Sequence, residues 1–259
     1  MAGPPAAGSL TGNLKNMTEQ HRFGRRQLLA GTLAAPVGGA AAPVGAAAAQ
    51  KPANAIPASS VIQRENAKPG TGDWQLTNVR IPRNAYRSKD LEGYCSQQSI
   101  EAGEKLHIMV SANPPGSFHL EVFRMGYYGG RGARLMGTYG PFKAQTQPDP
   151  PIGERRLREC SWEPTTEITI PQDWLSGVYL GRLTLAPPNR NTHAWQSFVV
   201  FIVRDQRRAD ILFQCADNTW QAYNRWPDDY SLYTDPRGPS VPGVDVSFDR
   251  PYGKYPQVT

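Results

Sequence analysis

Apolar and polar residues alternate with a period of two in several short stretches of the chain. In "EKLHIMVSA", Leu106, Ile108 and Val110 point one way, and His107 and Met109 the other. "SFHLEVF" repeats the pattern with Phe118, Leu120 and Val122. "EITIP" and "GVYLGRLTL" read as two more strands, and Asn113-Pro114-Pro115-Gly116 and Pro187-Pro188-Asn189 as turns between strands. "WQSFVVFIV" (Trp195 to Val203) is continuously apolar, as in a strand covered on both sides. Several short strands with no helical period predict a mainly β protein, an antiparallel β-sandwich running from about Gly93 to Arg204.

After "DQRRAD" the pattern changes. Ile211 to Phe213 read as a short buried strand, and Asp217, Asn218 and Thr219 are residues that favour a helix N-cap. Trp220, Tyr223 and Asn224 follow at helical spacing on one face. Strand, polar turn and helix open an α/β unit, with ligands expected at the carboxyl end of the strand. Trp220 and Trp226 read as packing groups. For Tyr223 packing and ligand roles stand level, because a buried hydroxyl needs a partner. The remainder is rich in turn formers and holds no second strand–helix unit. The expected organisation is a leader over 1–49, a linker over 50–72, a sandwich over 73–205, and the start of an α/β domain over 206–259. That last part reads as cut short.

Composition agrees with a turn-rich β protein: 25 Gly and 24 Pro in 259 residues. The net charge of +6 owes half its value to residues 1–49, where Lys15, Arg22, Arg25 and Arg26 face Glu19 alone. Arg155-Arg156 and Arg207-Arg208 are isolated pairs, so nucleic acid is excluded as the expected partner. Arg25-Arg26 is followed by an uncharged Ala/Gly-rich stretch that ends in Ala46 to Ala49. This resembles a twin-arginine export signal with a small-residue cleavage site, and it predicts a periplasmic or extracellular protein. The stretch is too weakly apolar and too broken by Pro36 and Pro43 to span a membrane. An oxidising compartment leaves Cys95 and Cys160 free to bridge, with Cys215 unpaired, although spacing alone does not fix the pairing.

Five segments carry a family resemblance: "EGYCSQQSI", "FRMGYYGGRGARLM", "DWLSGVYLGRL", "FQCADNTWQAYNRWP" with "SLY", and "VSFDRPYGKY". Together they resemble the large (beta) subunit family of N,N-dimethylformamidase, over residues 65–259. The resemblance implies a sandwich followed by a domain like that of class I glutamine amidotransferases. It also implies a mononuclear iron (Fe3+) held by two tyrosines and a glutamate, a small amide as substrate, and a small subunit or further copies as partners. Tyr223 in "QAYN" matches the first metal ligand. Tyr252 in "DRPYG" is the leading match for the second, with Tyr230, Tyr233 and Tyr255 competing. The last glutamate of the chain is Glu167, inside the sandwich. The third ligand is therefore expected beyond Thr259, or Asp249 replaces it, and the chain by itself is expected to be inactive.

Such a site suits amide hydrolysis. Phenolates form only beside a strong cation, and the metal polarises a carbonyl and acidifies water. Asn224, Asp217 and Arg225 are candidates for orienting the substrate or steadying an oxyanion, although a helix cap or a surface contact is the simpler reading of each. All four histidines precede the α/β segment, so Cys215 has no later histidine as base, and no GxSxG, HExxH or phosphate loop occurs. "GYYGGRGAR" reads as a β-turn with exposed tyrosines. The rival expectation is a non-catalytic binding or assembly module, in which Tyr127, Tyr128 and Arg131 of the sandwich meet a carbohydrate or a protein.

Overall fold

Two sheets face each other across a core built from the alternating residues of their strands. The computed structural model describes residues 58–82, 85–187, 193–209, 211–235, 237–238 and 244–253. The leader over 1–49, the end of the Pro187-Pro188-Asn189 turn, and Tyr255 lie outside the described residues. All of the described residues fall within one compact unit, Ala53–Thr259.

The strands are β1 (Glu92–Cys95), β2 (Ser99–Glu101), β3 (Lys105–Ser111), β4 (Gly116–Met125), β5 (Ala133–Ala144), β6 (Thr166–Thr169), β7 (Gly177–Leu185) and β8 (Gln196–Arg204). One sheet has the order β1-β3-β6 and the other β2-β8-β7-β4-β5. Every ladder is antiparallel except β2–β8, an edge pair that runs parallel. Leu106, Ile108 and Val110 from the smaller sheet meet Phe118, Leu120, Val122, Leu183, Val199 and Phe201 from the larger, all buried. The alternation in β3 and β4 thus marks the core face as expected. The apolar run of β8 resolves into two faces: Val199, Phe201 and Val203 are buried, and Phe198, Val200 and Ile202 are only half-buried.

β1, β2 and β5 carry no clear signal in the sequence. β1 is buried at all four positions, so both of its faces are covered. Its Gly93 lets the strand lie against the larger sheet: a Cβ there would stand 2.7 Å from the Met109 carbonyl and 3.2 Å from Val199. β5 is an edge strand buried only at its two end residues, interrupted by Gly137, Gly140 and Pro141. Its pairing with β4 shifts register twice. Edge exposure and bulges erase the period of two on which a sequence reading depends.

The glycine-rich stretch is the turn that joins β4 to β5. Gly129, Gly130 and Gly132 adopt positive φ, which glycine accepts without strain. Only one of its two tyrosines is exposed. Tyr127 is 71% accessible, whereas Tyr128 is 2% accessible. The Tyr128 hydroxyl lies 3.0 Å from Glu65 Oε1 and accepts from Arg124 Nη1 at 2.9 Å. This corrects the expectation of two exposed rings, and the buried charges are the reason.

Those charges also explain α1 (Ala58–Asn66), a helix inside the stretch expected to be linker. Glu65 is buried and accepts from Lys68 and from Arg134, each at 2.7 Å. Asn66 Oδ1 accepts from the Tyr127 backbone N–H at 2.8 Å. Composition hides this helix because its stability comes from tertiary contacts with the β4–β5 turn, not from propensity. Among the described residues no helix is long and apolar enough to cross a membrane.

Burial alone would raise the Glu65 carboxyl, but hydrogen bonds from Lys68, Arg134 and Tyr128 outweigh it and hold the group below its usual 4.5. A depressed carboxyl stabilises the fold above its unfolded value and stops doing so as pH falls through its folded value. Amide exchange in residues 58–66 is therefore expected to accelerate as pH drops below about 4, before the sandwich core loses protection. In Glu65→Gln the attachment of α1 is expected to be weak at every pH.

Candidate functional site

The C-terminal segment forms a third layer on the outer face of the smaller sheet. β1 and β3 turn Tyr94 and Met109 outward, and these pack with Cys160, Trp162 and Trp226 in a second apolar cluster. Trp226 is completely buried. Its indole N–H donates to Glu92 Oε2 at 2.8 Å, and its ring lies under the Arg87 guanidinium, 4.7 Å from centre to cation. Arg87 pairs with the buried Glu92 and with Asp149. Burial pushes the Glu92 carboxyl up, against the pull of Arg87 and the indole. Burying an indole on this scale contributes about 4–6 kcal/mol as an upper estimate. The packing role expected of Trp226 is what the structure shows.

Other expectations for this segment change. Ile211, Leu212 and Phe213 belong to no strand and are 82–90% exposed, so the buried strand ahead of the helix is not formed. No neighbouring strand among the described residues pairs with them, and a strand without a ladder partner leaves its backbone groups in water. The helix, α2 (Asp217–Tyr223), has seven residues, and its N-cap is Ala216 rather than a polar side chain. Asp217 Oδ1 instead accepts from the Asn218 backbone N–H at 2.9 Å. Trp220 is part-exposed, so it does not share the packing role of Trp226.

The helical spacing of Trp220, Tyr223 and Asn224 does not give one shared face, because Asn224 leaves the helix in extended geometry (φ −66°, ψ 118°). It turns inward and is nearly buried. Its Nδ2 donates to Gln221 Oε1 and to the Pro251 carbonyl, both at 2.9 Å. Its Oδ1 accepts from Trp226 N at 3.1 Å and from Gly253 N at 2.9 Å. Asn224 thus staples α2 to the 250–253 segment. Arg225 donates to Asp229 at 3.0 Å and stacks on Tyr86. Each of the three polar candidates already has a partner within the chain.

The proposed metal ligands have different surroundings. Tyr223 is 45% exposed and its ring lies 4.7 Å from that of Tyr233, which is 59% exposed. Tyr230 lies under the Arg156 guanidinium at 4.6 Å. The Tyr252 hydroxyl is enclosed, and burial, followed by the charge of Asp217, pushes its phenol up to about 12. Beside it is Arg250, 1% exposed, whose guanidinium burial pulls down to about 10. A cation site next to a buried guanidinium is electrostatically unfavourable. Tyr223 and Tyr233 present solvent-accessible rings, whereas the Tyr252 hydroxyl is enclosed beside Arg250. Asp249, the candidate substitute carboxylate, is exposed, and its backbone carbonyl accepts from Cys160 N at 2.7 Å. Among the described residues no group of three or more His, Cys, Asp or Glu side chains is placed to hold a metal.

Cys95 and Cys160 are free thiols. Cys95 belongs to the sandwich core and Cys160 to the second cluster, on opposite faces of β1, so the bridge that the sequence allowed is not formed.

The sequence profile described as N,N-dimethylformamidase beta subunit-like, C-terminal, matches residues 119–259. The chain belongs to this family. The match begins inside β4 and runs through the third layer, so most of the larger sheet and the Tyr223–Tyr233 surface lie within the N,N-dimethylformamidase beta subunit-like region. Curated proteins give no significant match.

Because Asn224 joins α2 to residues 251 and 253, Asn224→Ala is expected to lower unfolding stability by about 2–4 kcal/mol, as several buried groups lose their partners. Chemical denaturation measures this. A variant of unchanged stability would show that the side chain is not the staple described.

Proposed function

We propose that this chain serves an iron-dependent hydrolase that cleaves the C–N bond of small amides, and that Tyr223 and Tyr233 are the phenols it offers to the metal. The observation that carries this reading is the exposed ring pair, 4.7 Å apart, on the segment that matches the family. A bound ferric ion would supply Lewis acidity toward an amide carbonyl. The chain's own contribution is to hold two tyrosine rings together where solvent, and so a small amide, can reach them. Asn224 steadies that surface from beneath by fixing the end of α2, and the Arg225–Asp229 pair borders it.

We assign the carboxylate donor to a small subunit or a further copy, and expect this chain alone to be inactive. Arg25-Arg26 and the uncharged Ala/Gly-rich stretch after it support a working place outside the cytoplasm in this reading. The rival view, a carbohydrate- or protein-binding module, loses one of its two rings because Tyr128 is committed to Glu65 and Arg124.

The test is spectroscopic. The intact protein loaded with iron is expected to show a tyrosinate-to-iron charge-transfer band. Tyr223→Phe and Tyr233→Phe should each weaken it, and Tyr252→Phe should leave it unchanged. A band lost in Tyr252→Phe but kept in Tyr233→Phe would transfer the second ligand to Tyr252. Hydrolysis of N,N-dimethylformamide by residues 50–259 alone would overturn the expected inactivity.

A further inference from the structure

A cleft of about 240 Å³ opens where the chain ahead of β1 meets the chain that follows β5. That space corresponds to about eight waters. Every residue that borders it is polar or charged. Arg87, Glu92 and Ser111 border it and are themselves buried. Its walls are fixed by hydrogen bonds. Asn113 N donates to the Lys89 carbonyl and Ala112 N to the Gln145 carbonyl, both at 3.1 Å. Gln147 N donates to Ser111 Oγ at 3.0 Å, and Thr146 Oγ1 to the Ala112 carbonyl at 2.8 Å. A ligand entering a cleft that is already formed loses little affinity to ordering it.

The charges around the cleft cancel. Arg87 and the Trp226 indole take up Glu92. Asp149 lies between Arg87 and Lys89, with Lys89 Nζ at 3.4 Å. Neither carboxylate is left over for an ammonium group, and neither cation for an anion. An apolar guest finds no apolar wall. What remains uncommitted are single donors and acceptors. The Ser111 hydroxyl accepts from Gln147 and keeps its own hydrogen to give. Bonds to Glu92 and Asp149 use three of the five Arg87 N–H groups and leave one on each Nη. Gln147 Nε2 donates to the Glu163 carbonyl at 3.0 Å, which leaves its Oε1 open. The Asn113 side-chain amide has no partner among the described residues. A hydroxyl group both gives and accepts, so a molecule bearing several hydroxyls complements this mixture.

The geometry points to a binding site for a neutral polyhydroxyl ligand, a monosaccharide, seated against Arg87 and Ser111 and held at its edges by Asn113 and Gln147. The site shares no residue with the Tyr223–Tyr233 surface and does not depend on the amide-hydrolase reading.

Nuclear magnetic resonance titration of the nitrogen-15-labelled full chain tests this. D-glucose, D-galactose, D-mannose and N-acetyl-D-glucosamine are the probes, with glycine and sodium acetate as ionic controls. At least one sugar is expected to shift the side-chain amide signals of Asn113 and Gln147 saturably. The expected Kd is about 1 mM, ordinary for a ligand of about 12–15 heavy atoms. Asn113→Ala, followed at Gln147, and Gln147→Ala, followed at Asn113, are each expected to weaken binding about tenfold with Tm unchanged, the loss of one or two hydrogen bonds. Tyr127→Ala should leave the affinity as it was. No saturable shift from any of the four sugars would overturn the assignment. So would a response that survives both amide variants, one lost in Tyr127→Ala, or tighter binding of glycine or acetate at the same two amides.

Discussion

Trp226 reaches the protein interior only because Glu92 is waiting there. The strand that carries Glu92 has no exposed residue, so its carboxylate has no water to lean on. It is held by the Arg87 guanidinium and by the indole N–H. The indole in turn needs an acceptor to be buried completely, and Arg87 covers its face. Removing one member of such a buried group leaves an uncompensated charge, a loss of about 3–5 kcal/mol. The whole third layer depends on this mutual satisfaction. α2, the Asn224 staple and the residues around Tyr252 follow from where Trp226 is fixed.

The sandwich was legible where one face of a strand meets the core and the other does not. Leu106, Ile108, Val110, Phe118, Leu120 and Val122 advertise themselves by alternation, and all are buried. β1 was not legible for the opposite reason: both of its faces are covered, by Gly93 and Cys95 on one side and Glu92 and Tyr94 on the other. Such a strand shows no alternation of polarity, and a buried glutamate in it reads as surface. β5 failed differently, since an edge strand with bulges has little burial to signal. α1 is held by Glu65, whose role depends on Arg134 and Tyr128 about seventy residues away.

The candidate site was legible in part. "TWQAYNRWP" drew attention for the right reason, its mixture of aromatic and polar groups, and Trp226 and Asn224 both carry structural weight. What could not be read was the direction of each side chain. Asn224 leaves the helix one residue after Tyr223, so two neighbours that share a motif face opposite environments. Tyr233 gained its place beside Tyr223 through a loop that no periodicity describes. The family profile binds these segments into a single inherited region, while the phenol pairing comes from three-dimensional proximity.

The separation of the thiols has a wider meaning. Because Cys95 and Cys160 lie on either side of one strand, completion of this architecture requires no electron acceptor. The same three-layered arrangement is equally accessible where glutathione keeps sulfur reduced and where oxygen does not. A polypeptide of this kind can finish folding on one side of a redox boundary and be used on the other without rearranging a single covalent bond.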